Sequence, residues 1–277
     1  MPELPEVEVT RRGLVPAVLH HEVAGAAVRC PMLRAPVPDL ARLLTGRTLA
    51  SLERRAKYLV WRFEKPGLPP GWLVTHMGMS GSWRIWPANG PIPAPGRHDH
   101  IDIDFGDVVL RYTDPRRFGA VLWFDVDPYG LPPLAKLGFE PWDARLTPEV
   151  FEERLRRTHR SIKETLLSGD VVVGCGNIYC SEALWAARIR PTRPADGLSL
   201  AAAGRLLGAV RSVLERAVAA GGSTLHDFHG PEGETGWFPL SSAVYGREGE
   251  PCPSCGRPVK RIEQGGRSTF WCPHCQH

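Results

Sequence analysis

Apolar residues at the beginning of the chain recur at the spacing of a helix. Leu4, Val7, Leu14 and Val18 follow one another at intervals of three, seven and four residues, and Arg11 falls on the same face. Residues three and four positions apart share one side of an α-helix. The pattern therefore predicts an amphipathic N-terminal helix, with Arg11 as its polar exception.

Between residues 25 and 124 the pattern changes to that of short β-strands. β-Branched and aromatic segments are separated by Gly and Pro, and His100–Phe105 alternates between polar and apolar residues, so one face is predicted to be buried. About seven strands after a single helix favour a two-sheet β-sandwich with the helix packed on it. The predicted strands are Val28–Cys30, Thr48–Phe63, Trp72–His76, Trp83–Trp86, Ile101–Phe105, Val108–Tyr112 and Ala120–Phe124.

Helical patterns return after Glu140-Pro141-Trp142, which we interpret as an interdomain linker. Thr147-Pro148 is typical of a helix start, because threonine caps a helix and proline suits its first position. The apolar residues from Phe151 to Leu166 keep helical spacing, and further helices are predicted from about Asn177 and over Ser199–Ala220. The chain is therefore predicted to be an α+β protein of three domains: a sandwich over 1–140, a helical domain over 141–240 and a small cysteine-held module over 241–277.

Composition narrows the class of protein only a little. The 277 residues include 34 Lys and Arg against 30 Asp and Glu, a net charge of +4 that is mild evidence for a polyanionic partner. No stretch approaches the roughly 20 apolar residues of a membrane span, so no membrane partner is expected. Two glutamates and two prolines at the start exclude a secretory signal peptide.

Four of the seven cysteines form a metal-binding pattern at the C-terminus. Cys252-x2-Cys255 is followed after sixteen residues by Cys272-x2-Cys275, which fits a four-thiolate zinc site far better than unrelated cysteines. Four protein ligands leave no open position, so the zinc would be structural. The intervening residues would form a hairpin whose glycine turn, Gly265-Gly266, presents Arg267. The remaining cysteines suit a reducing compartment better than a disulfide framework.

The first residues of the chain have two interpretations. Removal of Met1 would leave Pro2 with a free secondary amine, and an α-amine titrates near 8, so part of it is unprotonated at neutral pH. Such an amine can act as a nucleophile without a dedicated base, and Glu3 could transfer protons beside it. The alternative is a simple helix start, with proline and glutamate in the first turn.

Basic residues and glycines recur in four further segments. Arg54–Tyr58 carries three cations on a predicted strand, His76–Gly81 is a glycine-flanked loop with two methionines that we expect to be exposed, and Asp114–Gly119 combines two arginines with Phe118. Gly174–Tyr179 resembles a glycine loop that opens a helix and could bind phosphate. Charged strands and solvated turns are the alternatives. Together, however, basic loops with apolar side chains suit a protein that kinks a nucleic-acid duplex.

Several segments resemble, in sequence and in order, the motifs of the bacterial formamidopyrimidine-DNA glycosylase family, which removes oxidised purines such as 8-oxoguanine. The match spans nearly the whole chain. The related endonuclease VIII branch, which favours oxidised pyrimidines, typically starts Met-Pro-Glu-Gly-Pro-Glu. Leu4 in place of that glycine makes this chain more similar to the purine branch. The matching segments are Met1–Glu8, Arg54–Tyr58, His76–Gly81, Arg111–Gly119, Gly176–Tyr179 and the four C-terminal cysteines.

The resemblance implies a bifunctional DNA glycosylase and AP lyase of base excision repair. Pro2 would attack C1′ of the damaged nucleotide and Glu3 would assist by proton transfer. Lys57 is implied in base excision and the first elimination, and Arg267 in the second. The family's domains are a β-sandwich, a helix–two-turns–helix domain and a zinc-finger hairpin.

The resemblance also implies how DNA is held. His76, His98, Arg116 and Asn177 fall where the family contacts phosphates, while Met79, Arg116 and Phe118 match the residues that fill the gap left by the flipped base. The implied partners are damaged double-stranded DNA and one structural Zn²⁺, with no nucleotide cofactor. We expect a monomer in the bacterial cytoplasm, associated with the nucleoid through DNA.

The chain departs from the family pattern at a few positions. Thr158 stands where a lysine is frequent, although Arg157 and Arg160 flank it. His226 stands where lysine or arginine is frequent, ahead of residues 228–240, which in the family cap the flipped base. These changes remove no catalytic group but leave the lesion preference open.

Two other functions remain open at this stage. The first is an endonuclease VIII-like glycosylase for oxidised pyrimidines. The second is a catalytically silent DNA-binding protein of the same fold, which would lack Pro2, Glu3 or Lys57, yet all three are present.

Overall fold

The computed structural model of the chain describes residues 2–222 and 242–277. These residues form two compact units: residues 2–135 with 221–222 in the first, and residues 136–220 with 242–277 in the second. Within these ranges, no helix has both the length and the apolar character that crossing a membrane requires.

The first unit consists of a long N-terminal helix, a short second helix and eight strands. The four apolar residues of the predicted N-terminal stripe are all buried, which confirms the helix. The elements are α1 Leu4–Val18, β1 Gly25–Val28, α2 Leu40–Leu44, β2 Thr48–Arg55, β3 Tyr58–Lys65, β4 Leu68–His76, β5 Ser82–Pro87, β6 Asp99–Asp104, β7 Val108–Thr113 and β8 Ala120–Phe124.

Two antiparallel four-stranded sheets enclose the core of this unit. One has the strand order β1-β6-β7-β5 and the other β2-β3-β4-β8. Trp61 on β3 and Trp83 on β5 are both buried, with ring centroids 5.5 Å apart, so the sheets meet through large aromatic side chains. Leu14 and Val18 of α1 join the same apolar cluster. The predicted sandwich with a helix packed on it is confirmed.

The single strand predicted over Thr48–Phe63 is wrong, because two strands occupy that range. β2 ends at Arg55 and β3 begins at Tyr58. Ala56 adopts a left-handed conformation, with φ of 54°, that reverses the chain. The sequence carries no glycine or proline there, so the usual turn signal was missing. Lys57 therefore lies in a tight turn and not along a strand.

Smaller differences concern the start of the sandwich. β1 covers Gly25–Val28 and not the predicted Val28–Cys30. The short helix α2, which Asp39 caps by accepting the Arg42 N–H at 3.2 Å, was not predicted. Five residues are too few to show a helical period.

The second unit is helical and ends in a two-stranded hairpin. The helix predicted through Phe151–Leu166 is two helices, because Ser161 and Glu164 form a capping box that starts a new one. Eleven residues separate Phe151 from Ile162, about three helical turns, so the apolar positions stay in phase across the break. The elements are α3 Pro148–Leu155, α4 Ile162–Ser168, α5 Asn177–Ala186, α6 Leu200–Ala219, β9 Lys260–Gln264 and β10 Arg267–Trp271.

A buried carboxylate ties α5 to the segment that precedes the hairpin. Glu182 accepts the backbone N–H groups of Ala243, Val244 and Tyr245 at 2.8, 3.0 and 2.9 Å. Burial of this carboxyl group is tolerated because it accepts three hydrogen bonds from backbone N–H groups. The C-terminal module is thereby anchored to the helices of its own unit.

The α+β class is confirmed by these elements. The domain boundaries at 140 and 240 stay predictions. His226 and residues 228–240, the segment predicted to cap the flipped base, lie outside the described residues.

Candidate active site and DNA-binding residues

The amino terminus is fixed at the start of α1. Pro2 and Glu3 are buried, and the Glu3 backbone N–H donates to Glu6 Oε2 at 2.7 Å within a capping box. The box satisfies amides that the first helical turn leaves unpaired. A nucleophile at Pro2 would therefore be held by a rigid element, whereas Met1 lies outside the described residues.

The turn that carries Lys57 is braced from α1. Glu8 accepts a hydrogen bond from Arg54 Nε at 3.2 Å, and Arg54 Nη1 donates to the carbonyl oxygen of Ala56 at 3.0 Å. Ala56 is the left-handed residue of the turn, a conformation that is costly for a side chain with a Cβ. The Glu8–Arg54 pair therefore holds Lys57 at a defined place relative to α1.

The charge on Glu8 is secured by the arginines around it. Partial burial works to raise the pKa of Glu8, but hydrogen bonds from Arg11 and Arg12 and the charges of Arg11 and Arg54 outweigh it. The resulting pKa is about 2. The brace is therefore ionic at any pH at which the protein would work.

His76 lies half-buried at the end of β4. Its Nδ1 accepts the Gly78 N–H at 3.0 Å, and its ring centroid lies 4.8 Å from that of Tyr58. Burial, followed by the positive charges of Lys57 and Arg34, lowers the pKa of His76 to about 4. The imidazole is therefore neutral with its proton on Nε2, a donor suited to a phosphate oxygen.

Two loops bring the predicted gap-filling residues together. Met79 is 36% exposed and Phe118 46%, and the Arg116 Cζ lies 4.8 Å from the centroid of the Phe118 ring. Gly78 permits this approach, since a Cβ there would lie 2.3 Å from the backbone carbon of Phe118. Met77 is 2% exposed, so the prediction that both methionines are exposed is wrong for one of them.

Asp114, which the sequence analysis did not single out, lies fully buried between these loops. Its carboxylate accepts the Ser80 hydroxyl at 2.7 Å and the Gly119 N–H at 2.8 Å. Burial and the charge of Asp114 raise the pKa of Tyr112 well above its ordinary value, so the phenol stays protonated. The available signal was an aspartate before proline at the end of a strand, a pattern typical of turn-forming residues.

His98 follows a proline-rich loop that Arg111 holds in place. The nearly buried Arg111 donates to the carbonyl oxygen of Pro93 at 2.7 Å and forms a two-pronged ion pair with Asp102 at 2.8 and 2.9 Å. The backbone of His98 is fixed by the Asp114 N–H, which donates to its carbonyl oxygen at 3.0 Å. Among the described residues, His98 Nδ1 has no hydrogen-bond partner.

Arg267 is exposed at the start of β10, and the strand behind it is held by two helices. Asn177, the first residue of α5, donates Nδ2 to the Ser268 carbonyl oxygen at 2.9 Å. The buried Lys163 ammonium donates to the same oxygen at 3.2 Å and to Thr269 Oγ1 at 2.6 Å. The residue after Arg267 is thus fixed from α4 and α5, and Nδ2 of Asn177 is engaged within its own unit.

The four cysteines converge on one point. All their Sγ atoms lie within 4.8 Å of one another, with Cys255–Cys272 at 3.5 Å and Cys252–Cys275 at 3.9 Å. A tetrahedral zinc with bonds near 2.3 Å separates its sulfurs by about 3.8 Å, so the thiolates fit the ion. Trp185 Nε1 donates to Cys252 Sγ at 3.4 Å, an outer contact of the kind that orients a ligand.

A basic cavity of about 180 Å³ lies in the second unit. Arg160 Nη2 donates to Asp170 at 2.6 Å, and Arg160 Nε donates to Thr158 Oγ1 at 3.0 Å. Arg157 and Arg160 thus surround the position at which a lysine is frequent, and their replacement of that lysine stays a prediction. The lining residues are Arg154, Arg157, Thr158, Arg160, Asp170 and Val171.

Three family models match the chain in succession. They are the formamidopyrimidine-DNA glycosylase N-terminal domain at residues 1–121, the formamidopyrimidine-DNA glycosylase H2TH domain at 137–229 and the zinc finger found in FPG and IleRS at 249–277. The second confirms the helix–two-turns–helix domain, and the third, with the cysteine cluster, confirms one structural zinc site.

Curated relatives match over the full length. The formamidopyrimidine-DNA glycosylase of Burkholderia thailandensis is 50% identical over 280 residues, which covers 100% of both chains. The protein of the same name from Burkholderia multivorans is 49% identical over 280 residues, again with 100% of both chains covered.

Solved structures agree with these matches. The MutM (Fpg) protein of Thermus thermophilus has a TM-score of 0.88 at 40% identity, covering 99% of this chain and 98% of that one. The wild-type Lactococcus lactis Fpg, bound to DNA that contains N7-benzyl-Fapy-dG, has a TM-score of 0.88 at 32% identity, covering 100% of both. On this evidence the chain belongs to the formamidopyrimidine-DNA glycosylase family.

Proposed function

We propose that the chain is a bifunctional DNA glycosylase and AP lyase of base excision repair, which removes oxidised purines such as 8-oxoguanine and formamidopyrimidines from double-stranded DNA. Its full-length relatives carry the name formamidopyrimidine-DNA glycosylase, and Lactococcus lactis Fpg has been seen on DNA with a modified Fapy-dG and with an abasic site. The observation that carries the proposal is Pro2 followed by Glu3 at the buried start of the capped helix α1.

Pro2 supplies the nucleophile. The damaged nucleotide flips out of the stack, the secondary amine attacks C1′, and the damaged base leaves with a proton. Opening of the sugar ring, with proton transfer by Glu3, gives an iminium between Pro2 nitrogen and C1′. Only a free N-terminal amine can form this adduct, so Met1 must be removed first.

Strand cleavage then follows from the iminium. It acidifies the neighbouring C–H bond, so the 3′ phosphate leaves in a first elimination and the 5′ phosphate in a second. Lys57 serves base excision and the first elimination, and Arg267 the second, because a cation stabilises each departing phosphate. The structural zinc holds the hairpin that presents Arg267 and takes no part in these steps.

DNA is held by phosphate contacts and by side chains that replace the flipped base. His76 offers its Nε2–H as a neutral donor, while His98, Arg116 and Asn177 contact further phosphates. Met79 and Phe118, with Arg116, fill the gap in the duplex. Affinity should therefore fall steeply with salt concentration.

The setting follows from the substrate. The relatives named above are bacterial proteins, and a repair enzyme of this kind meets its DNA in the cytoplasm, associated with the nucleoid. We propose that it works there as a monomer without a nucleotide cofactor.

Borohydride trapping tests the proposal directly. The full-length protein is incubated with an 8-oxoguanine:C duplex, reduced, and the adduct is mapped by peptide analysis. We expect the link on the Pro2 nitrogen, and we expect an uncleaved Met1 or an N-terminal extension to abolish it. An adduct on Lys57 would contradict the proline mechanism.

The same assay separates the other two functions. A thymine-glycol duplex that is processed faster than the 8-oxoguanine duplex would indicate an enzyme of the endonuclease VIII kind. Tight binding of lesion DNA with no adduct on either duplex would indicate a silent DNA-binding protein.

A further inference from the structure

We propose that Asp114 is a positioning residue for base flipping. Its buried carboxylate joins two loops, residues 77–81 and 115–119, into one rigid wedge that carries Met79, Arg116 and Phe118. This inference rests on the proposed function, because it assigns those three side chains to the gap in the duplex. Asp114 itself contacts no substrate.

The carboxylate uses both of its oxygens. Oδ1 accepts the Ser80 hydroxyl at 2.7 Å and the Arg116 N–H at 3.3 Å. Oδ2 accepts the Gly119 N–H at 2.8 Å and the Tyr112 hydroxyl at 3.3 Å. Two of these donors are backbone amides of the second loop, and one is a side chain of the first.

The two loops are also joined to each other around this carboxylate. The Arg116 N–H donates to Ser80 Oγ at 3.2 Å as well, so Ser80, which follows Met79 directly, bridges the loops. The carbonyl oxygen of Asp114 is bound by His100 Nε2 at 2.8 Å, which ties the assembly to β6. Met79 directly precedes Ser80, Phe118 directly precedes Gly119, and Arg116 donates its own N–H. Each exposed side chain of the wedge is therefore joined to the Asp114 network through its own residue or the next one.

Rigidity matters because the wedge must hold open a stacked duplex. A loop that ordered itself only on insertion would lose conformational entropy at that moment, which would subtract from the binding energy that drives flipping. A wedge fixed in advance avoids this loss. The Asp114 network is thus expected to act on duplex opening and not on the chemistry at Pro2.

A carboxylate is required at this place, and an amide of the same shape cannot replace it. Asparagine has one acceptor oxygen and one NH2 group. With the NH2 in place of Oδ2, the buried Gly119 N–H and the Tyr112 hydroxyl would lose their acceptor. With the NH2 in place of Oδ1, the Ser80 hydroxyl would lose its acceptor and the Arg116 N–H would keep only its bond to Ser80 Oγ. Asp114→Asn therefore tests the network while leaving the volume unchanged.

The experiment compares substrates that do and do not need the stack to be opened. For Asp114→Asn we expect single-turnover excision from an 8-oxoguanine:C duplex to fall about tenfold or more, and β-elimination at a pre-formed abasic site in single-stranded DNA to stay within about twofold. Retained activity on the single strand also shows that the variant is folded. Ser80→Ala, which removes one donor, should shift the ratio in the same direction by about threefold.

Asp102→Asn is the matched control. Asp102 is an acid on β6, and the hydrogen bonds of its side chain come from Arg29 and Arg111, neither of which belongs to the two loops. Its loss is expected to lower the melting temperature without changing the ratio of the two activities.

A double-mutant cycle separates positioning from general destabilisation. In a background with Met79, Arg116 and Phe118 all changed to alanine, Asp114→Asn should have little further effect on duplex excision, because the side chains it positions are gone. Equal losses on the two substrates, or an effect of full size in that background, would overturn the inference. Absence of excision by the unaltered protein would instead reject the proposed function.

Discussion

Two hairpins present the cations to which the eliminations are assigned, and the molecule holds them in different ways. Lys57 lies in the turn between β2 and β3, inside a four-stranded sheet of the sandwich. Arg267 directly follows the turn between β9 and β10, which form a sheet of two strands. Both cations thus lie in or beside the turn of a β-hairpin, but the first hairpin belongs to a large sandwich and the second to a very small module.

The sandwich stabilises the first hairpin through its core. β3 contributes Trp61 and Phe63 to the sandwich core, so the first hairpin is anchored by buried apolar surface. Only the non-glycine turn needs a specific brace, and the Glu8–Arg54 pair provides it from α1.

The second hairpin, formed by β9 and β10, needs other contacts to hold it in place. An isolated two-stranded hairpin is marginal in water, so the four thiolates and the polar side chains of Lys163 and Asn177 add to a small apolar cluster around Val244 and Val259. A hairpin anchored by a core stays folded when one polar contact is lost, whereas a hairpin held largely by a metal unfolds when the metal is removed. The two hairpins should therefore fail under different treatments.

Removal of zinc should have the largest effect and should break only the second hairpin. Chelation, or Cys272→Ser, is expected to abolish cleavage of lesion DNA, because binding energy of the metal is folding energy of so small a module. The strand signature of the sandwich in far-ultraviolet circular dichroism should remain. Undiminished cleavage after zinc loss has been verified by metal analysis would contradict this.

The two hairpins also differ in what their sequences revealed. The cysteine spacing and the glycine pair predicted the second one, because a metal site and a turn of left-handed residues demand particular residue types. The first was predicted as a continuous strand, since Ala56 gives no turn signal and Arg54, which binds its carbonyl oxygen, is itself held by the distant Glu8.

Buried polar residues were the other feature that the sequence did not predict. Periodicity predicted α1 because apolar side chains that share a face show up in a linear pattern. Asp114 and Lys163 are buried through partners far away in sequence, so the local pattern, which at Asp114 indicates a turn, does not predict their burial. The resemblance to a family named the chemical groups, and the structure showed which residues position them.

Replacement of each cation in turn by methionine should separate the two eliminations. Lys57→Met is expected to lower excision and the first elimination by about a hundredfold, whereas Arg267→Met should leave excision within a fewfold and let the product of the first elimination accumulate. Gel analysis of the DNA ends after single-turnover reactions distinguishes these products. Equal product ratios for the two variants would contradict the assignment of separate roles.

Loss of the brace should have a smaller effect, confined to the first hairpin. Arg54→Met keeps the stem of the side chain but removes its bonds to Glu8 and Ala56, and we expect excision to fall about tenfold with unchanged zinc content. Arg12→Met is the control, because Arg12 also pairs with Glu8 but does not contact the turn. Equal losses in both variants would show that the charge of Glu8, and not the position of Lys57, matters.

Acid should weaken the same brace by the smallest amount. The pKa of Glu8 is about 2 in the folded chain against an ordinary 4.5, so its contribution to stability is fully present above about pH 4.5 and is lost as the pH falls towards 2. Because Glu8 is only partly buried, solvent screening reduces the stabilisation that this pKa shift represents to roughly 1–2 kcal/mol. Urea denaturation followed by tryptophan fluorescence between pH 6 and pH 3 should therefore show a smaller loss of unfolding free energy for Glu8→Gln than for the unaltered chain. Glu64→Gln, which removes an exposed pair with Arg62 on the same hairpin, should leave the pH dependence unchanged, and a similar change in both variants would refute the brace as its source.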